Sequence, residues 1–294
     1  MNLPIIKTKR NLLLLALTTI VSFTSCQPED SFADNGLTAE SVDASFSITP
    51  VEGKVNTYKL VAQSKGVLKS LWDAGTGEFE GKMEEEVSLP DAGTYTITHV
   101  AIGAGGATAT TSQEVVVTTS DPEKGNLVKG GSFLNAEDNA NWTSCQINTN
   151  NTAYWTFNNG SATIHSTGGW AQEGIYQAID VVKDKEYTID MFVSSTQNSD
   201  ETWFEVYAGK TVPTAGAEYK DNKVMGLSTW DGCAKTAFSG MLSKVGCVKN
   251  DVTKTVSNVV KFDVTGKVYL VIRSGGNSFT TSGITVSKIE LRGK

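Results

Sequence analysis

A period of two constrains this chain more than anything else in it. In Thr202–Ala208, Phe204, Val206 and Ala208 alternate with Trp203, Glu205 and Tyr207. Successive side chains of a strand point to opposite faces, so the first set reads as core and the second as surface. The same alternation marks Ala44–Ile48, Thr57–Ala62 and Thr94–Val100, and a Val- and Thr-rich run continues over Thr108–Thr119. Further on it predicts strands at Ala153–Phe157, Ser161–Ser166, Ile175–Val182, Tyr187–Ser194, Val256–Phe262, Val268–Ser274 and Gly283–Arg292. No convincing helical period interrupts them. Short strands joined by polar, Gly-rich segments imply an all-β chain. Ser120–Gly125, with charges, a Pro and a Gly, is the predicted linker between a sandwich at 41–119 and a longer jelly roll at 126–294. Gly103–Gly106 lacks the Lys and following helix of a phosphate loop and is expected to be a hairpin turn.

The N-terminus carries a different signal. Lys7, Lys9 and Arg10 precede an apolar Leu12–Phe23, too short to span a bilayer as an ordinary helix, and Ser25-Cys26 follow. This resembles a bacterial lipobox. The resemblance implies that residues 1–25 are a cleaved leader, to be left out of fold reasoning, and that the Cys26 thiol is lipidated. Gln27-Pro28-Glu29-Asp30 resembles the acidic export tag of Bacteroidetes lipoproteins, which implies the outer membrane, cell-surface side, with residues 26–40 as a flexible tether.

Cleavage would remove three basic residues and no acidic one, moving the net charge from −7 to −10. Such a chain is a poor partner for nucleic acid or an anionic polymer, and suits a neutral one. In an exported protein the closely spaced Cys233 and Cys247 are candidates for a disulfide, which would stabilise by about 3 kcal/mol through loop closure. Cys145 is left as a small buried hydrophobe. With no C-x-x-C pair and only His99 and His165, zinc is not expected.

Two stretches, Leu71-Trp-Asp-Ala-Gly-Thr-Gly77 and Pro90-Asp-Ala-Gly-Thr-Tyr-Thr-Ile97, are similar to the signatures of PKD-type immunoglobulin-like domains. The resemblance covers most of 41–119 and implies a spacer in which Trp72 is structural. His99 alternates with the buried set of its strand and reads as structural too. The second domain opens with Asn126-Leu-Val-Lys-Gly-Gly-Ser-Phe133 and Trp142, followed by Trp155-x-Phe-x-x-Gly160 and by Trp170 ahead of Ile175-Tyr-Gln-Ala-Ile179. With Lys185-Glu-Tyr-Thr-Ile189 and the closing Ile284–Leu291, it resembles carbohydrate-binding modules of the family 4 type across nearly all of 126–294. Where that family helps hold a structural calcium, this chain has Leu134 and Ser287-Lys288, which are not hard oxygen ligands. No cofactor is expected. Lipid tether, PKD-like spacer and glycan module together resemble a surface glycan-binding lipoprotein in the SusE-like position of a polysaccharide-utilisation system, with a SusC/SusD-type transporter as partner.

The expected ligand surface follows from alternation. Trp203, Glu205 and Tyr207 form an outward face of two aromatics around a carboxylate, suited to the apolar face and the hydroxyls of a sugar. Tyr154, His165 and Arg273 are outward on their own strands, and complete a groove if those strands share one sheet. Trp170, between Gly-rich turns, and Trp230, in a Trp-Asp-Gly loop, are candidate loop contacts. Each has a plainer alternative: Tyr207 as a cross-strand packing pair, Glu205 as an edge charge, His165 as a satisfied surface histidine, Trp230 as a shield for the disulfide. Trp142 and Trp155 are expected in the core.

Three functions remain open. Non-catalytic binding of a neutral polysaccharide comes first, with a β-glucan such as laminarin as the best single ligand and xylan next. A glycoside hydrolase acting on xylan or another hemicellulose needs two carboxylates flanking the bond. Glu205 could be one, but Glu173 and Asp231, near Trp170 and Trp230, have no fixed geometry in sequence. A structural or protein-binding lipoprotein is the third.

Overall fold

In the computed structural model, residues 41–63 and 65–294 are described. The leader 1–25, Cys26 and the tether 26–40 lie outside the described residues. The described chain is almost entirely β. Its two short helices, α1 (Ala136–Asn139) and α2 (Leu242–Val245), are one turn each. Two compact units are distinguished: one of residues up to Ser47, Leu60–Glu85 and Ile97–Gln113, the other of Ile48–Lys59, Glu86–Thr96 and Glu114–Lys294.

The early strands are β1 (Phe46–Pro50), β2 (Thr57–Ala62), β3 (Val67–Asp73), β4 (Phe79–Gly81), β5 (Glu84–Ser88), β6 (Gly93–Gly103) and β7 (Thr108–Val117). They form two sheets, ordered β1-β2-β5 and β4-β3-β6-β7. In the first unit Trp72 is fully buried, edge-on to Phe46 and stacked on His99 with centroids 4.1 Å apart. His99 is buried without strain because both ring nitrogens have partners, Ala44 O at 2.9 Å and Ser70 Oγ at 3.1 Å. Asp73 Oδ1 accepts from the amides of Gly75 and Gly77, closing a turn whose glycines take positive φ. Trp72 and His99 are structural here, and Ala104–Gly106 is a single turn between β6 and β7.

The later strands are β8 (Thr143–Ser144), β9 (Ala153–Asn158), β10 (Ser161–Ser166), β11 (Ala171–Val181), β12 (Glu186–Ser195), β13 (Asp200–Gly209), β14 (Lys223–Ser228), β15 (Phe238–Met241), β16 (Val259–Lys261), β17 (Gly266–Ser278) and β18 (Ile284–Gly293). Two sheets result, β14-β13-β17-β11-β8 and β15-β12-β18-β10-β9, with β16 on β12. One core lies between them. Phe204, Val206, Leu270 and Ile272 come from the first sheet, and Ile164, Ile189, Met191 and Val286 from the second, all buried. β14 was not expected from alternation. Val224–Ser228 is buried without a break, and the amides of Cys247 and Val248 close its edge by donating to Gly226 O. A strand covered on both sides loses the period of two. Gly226 is required there, since a Cβ would meet Phe204 O at 2.3 Å.

Candidate functional site

The outward face of the β14-β13-β17-β11-β8 sheet is built around β13 and β17, in register at Trp203↔Gly275, Glu205↔Arg273 and Tyr207↔Val271. Phe204, Val206 and Ala208 are fully buried on the core side, as alternation requires. On the other side burial increases along the strand. Trp203 and Glu205 are half-buried, but Tyr207 is only 3% exposed. Tyr219 packs edge-on to it at 5.8 Å, within a small apolar cluster that includes Cys145 and Val271. Tyr207 therefore points outward by register and yet is covered. It supports the face and is no platform for a ligand. Burial pushes the Cys145 thiol up to about 12, so this cysteine is inert packing.

Beneath the face lies a connected ionic network. Tyr207 OH and Arg273 Nη2 donate to Glu205 Oε2 at 2.7 and 2.8 Å, and Lys223 Nζ reaches Oε1 at 3.3 Å. Arg273 Nη1 donates to Gln172 Oε1 at 3.0 Å and stands 3.5 Å from Glu218 Oε2. Gln172 also donates to Glu218, and Lys220 Nζ lies 2.7 Å from it. The bonds from Lys220 and Gln172 hold the Glu218 carboxyl down at about 2. Burial, then the charge of Glu205, pushes the Tyr207 phenol above its ordinary range. Arg273 is 6% exposed, so its predicted outward position is also a covered one. Each of the network's two carboxylates is paired, and its three cations leave one positive charge in excess. Lys223, Gln172 and Glu218 were not expected in the site. Lys223 sits on the unforeseen β14, and the other two sit where no pattern distinguishes them from ordinary surface polar residues.

Three indoles lie over this floor. Trp170 and Trp230 are 53% and 58% exposed. Their centroids are 6.4 Å apart with planes within 16°, and Trp230 is 6.4 Å from Trp203 at 35°. Two local devices hold the exposed rings. Gly168, Gly169 and Trp170 all have positive φ, and the amides of Gly169 and Trp170 donate to Asn277 O and Gly276 O at the end of β17. A Cβ at Gly168 would meet Asn277 O at 2.2 Å, so only glycine fits. For a residue as large as Trp170, φ of 67° is a true outlier. Trp230 sits in a turn closed by Cys233 N donating to Ser228 O, and the Cys233–Cys247 disulfide pins the end of that turn. The bridge expected from sequence is thus present, and Trp230 lies just before the loop it closes. A hollow of about 310 Å3 opens here, lined by Trp203, Trp230, Glu205, Lys223, Asp231 and Arg273.

The face does not include every expected residue. Tyr154 and His165 are register partners on β9 and β10, which belong to the other sheet, and their rings stack at 5.2 Å. The premise that these strands share a sheet with β13 fails. Glu173 is 5% exposed and turned between the sheets, where its carboxylate accepts from the amides of Ile147, Asn148 and Gly174. It is no partner for Glu205 across a bound sugar. Trp142 is buried as expected, and Trp155 packs against the core. The calcium positions do not fit the ion: Leu134 is an exposed hydrocarbon and Lys288 an ammonium. Among the described residues, no group of three or more His, Cys, Asp or Glu could hold a metal.

No protein-family model matches the chain. No curated protein matches it either. Among solved structures, a carbohydrate-binding module from the β-sandwich superfamily aligns at 15% identity over 86% of this chain and 98% of its own, with a TM-score of 0.33. A family 4 carbohydrate-binding module aligns at 16% over 57% of this chain and 99% of its own, also at 0.33. Tailspike protein 4 of bacteriophage CBA120 aligns at 13% over 61% of this chain and 23% of its own, at 0.36. At these identities and scores the likeness fixes no property of this chain.

Proposed function

We propose that the protein binds a neutral polysaccharide without cleaving it, on the shelf formed by Trp170, Trp230 and Trp203. The observation that carries this is the row of three indoles: Trp170 and Trp230 are near-parallel, more than half exposed and on loops held by a left-handed backbone and a disulfide, and Trp203 is tilted beside them on β13. Exposed large aromatics cost solubility and strained backbone costs stability, and such strain clusters at ligand sites. A row of flat apolar rings beside fixed polar groups suits a chain of pyranoses, whose rings are apolar on the faces and polar at the edge. The network below engages its charges with one another, which favours an uncharged ligand.

The ligand class we favour is a β-glucan such as laminarin, with xylan next. In the cell, the protein would be lipid-anchored at Cys26 on the outer-membrane surface. Residues 41–119 would serve as a PKD-like spacer, and the bound glycan would be passed to a SusC/SusD-type transporter. Hydrolysis is disfavoured because Glu205 is already engaged by Tyr207, Arg273 and Lys223, and because Glu173 faces elsewhere. Asp231 shares the hollow with Glu205, which keeps a hydrolase as the second reading.

Native gels cast with laminarin or xylan test the proposal. The wild type should be retarded in at least one of them, and Trp203→Ala should run close to its mobility in plain gel. Unretarded wild type on both glycans would remove the binding function. Reducing ends released from either glycan would replace it with hydrolysis.

A further inference from the structure

A cleft of about 530 Å3 in the second unit lies apart from the indole shelf. It opens at the edge of the sandwich, where residues 145–152 cross from β8, the last strand of one sheet, to β9, the last strand of the other. Because β8 is only two residues long, it leaves this edge uncovered. Trp142, Trp155 and Ile175 line it from the core side, and Tyr154 and Phe157, 43% and 37% exposed, line it from β9.

The crossing segment is built more firmly than a connection requires. The buried Glu173 carboxylate reaches from β11 to accept from the amides of Ile147 and Asn148. Asn148 Oδ1 accepts from the amides of Asn150 and Thr152, and its Nδ2 donates to Thr152 Oγ1. Gln146 and Asn151 both hold left-handed backbones, with φ of 54° and 55°. A segment tied this way presents Gln146, Thr149 and Asn151 in the lining, and these three side chains make no hydrogen bond to the described residues. Among the described residues, the indole N–H of Trp155, like that of Trp203 at the shelf, is buried without an acceptor.

We infer that this edge cleft is a second saccharide site, separate from the shelf, taking a short uncharged stretch of glycan. Its volume falls within the ~300–1,000 Å3 usual for small-ligand sites. Its aromatic walls suit the faces of a pyranose, and free amides and a hydroxyl beside them suit its hydroxyls. Glu173 is the one charged residue in the lining, and backbone amides occupy its oxygens, which selects against a charged ligand. The inference shares with the shelf proposal only the class of ligand. With two sites, one chain could hold two strands of a polymer, and surface copies would gain avidity.

The chain's six tryptophans separate the two sites in one titration. Indole N–H signals, assigned by Trp→Phe variants, are followed as laminaritetraose and then xylotetraose are added to the whole protein. At least one sugar should move the Trp155 signal, with its own saturation curve, independently of Trp170 and Trp230. That movement should persist in a Trp170→Ala/Trp230→Ala double variant. It should weaken about tenfold or more in Gln146→Ala/Asn151→Ala, the loss expected for two hydrogen bonds. If the shelf signals move and Trp155 does not, the second site is refuted and the shelf stands. If Trp155 moves alone, the second site stands and the shelf falls. If neither moves with either sugar, both are refuted.

Discussion

Trp170 combines a ring the ligand would need with a backbone the residue disfavours, and two substitutions separate these. Trp170→Ala and Trp170→Gly both delete the indole. A tryptophan offers about 250 Å2 of surface, of which an exposed half is roughly 130 Å2. A sugar lying on one face would cover about half of that, and ~65 Å2 at ~25 cal/mol/Å2 is about 1.6 kcal/mol. Both variants should therefore lose about fifteenfold in affinity. Stability should tell them apart. The left-handed φ of 67° costs Ala ~1–2 kcal/mol that Gly avoids, whereas Gly gives up ~0.5–1 kcal/mol of chain entropy on folding. The net, roughly 0.5–1 kcal/mol, favours Gly, the reverse of their usual order in regular structure. Thermal unfolding should place Trp170→Gly about 1–4 °C above Trp170→Ala. Isothermal titration with laminarin oligosaccharides reads the first effect and calorimetric scans the second. Trp170→Ala at or above the Gly variant in stability would refute the strained turn. Wild-type affinity in either would refute the shelf.

Cys233→Ser/Cys247→Ser opens a loop with ends 14 positions apart, so denaturant unfolding should show a loss of about 3 kcal/mol, with affinity falling because Trp230 is no longer held; unchanged affinity would mean the bridge does not position that ring. Arg273→Ala leaves the half-buried Glu205 without its closest cation and should cost ~3–5 kcal/mol in the same assay, whereas Arg273→Ala unfolding at the wild-type midpoint would mean the network is idle. The Glu218 carboxyl, held at about 2 against an ordinary 4.5, contributes stability that is fully present above pH 4.5 and lost as pH falls toward 2. The stability gap between wild type and Glu218→Gln should accordingly be flat above that range and close below it; a gap that widens on acidification would contradict the bonds assigned to Lys220 and Gln172.

What the sequence revealed and what it hid divide along a physical line. Alternation says which side of its own strand a residue faces, because that depends only on the backbone repeat. It placed Trp203 and Glu205 opposite Phe204 and Val206 correctly. It does not say which sheet a strand joins, because that depends on pairing partners distant in the chain. Tyr154 and His165 were outward on their strands, but β9 and β10 close the opposite sheet. Nor does it say whether an outward residue stays uncovered: Tyr207 and Arg273 share a face with Trp203, but Tyr219 and Glu218, arriving from 210–222, lie over or beside them. β14 escaped notice because coverage on both sides removes the very contrast that alternation reads.

The loop tryptophans were legible for the converse reason. Trp170 follows two glycines and Trp230 precedes Asp231-Gly232, and a large ring in a turn has no strand partner to bury it. Such a ring is either folded back onto the core or held out by its loop. Trp170 is held out: its amide is tied to Gly276 O while its ring stays 53% exposed. Trp230 is held out as well, by the bridge at Cys233, which sequence could equally have read as the thing the ring was there to cover. The covered ion network beneath, in which Arg273 bonds both Glu205 and Gln172, fixes the strands from which these loops spring. Charges buried so deeply add little net stability compared with apolar packing, but they resist a shift in register, since one step would leave each unpaired. On that ground Glu205→Gln/Arg273→Met should fold with stability near wild type and yet bind glycan less tightly than its intact tryptophans would allow. Undiminished affinity in the double variant would show that the indoles hold their row without the network.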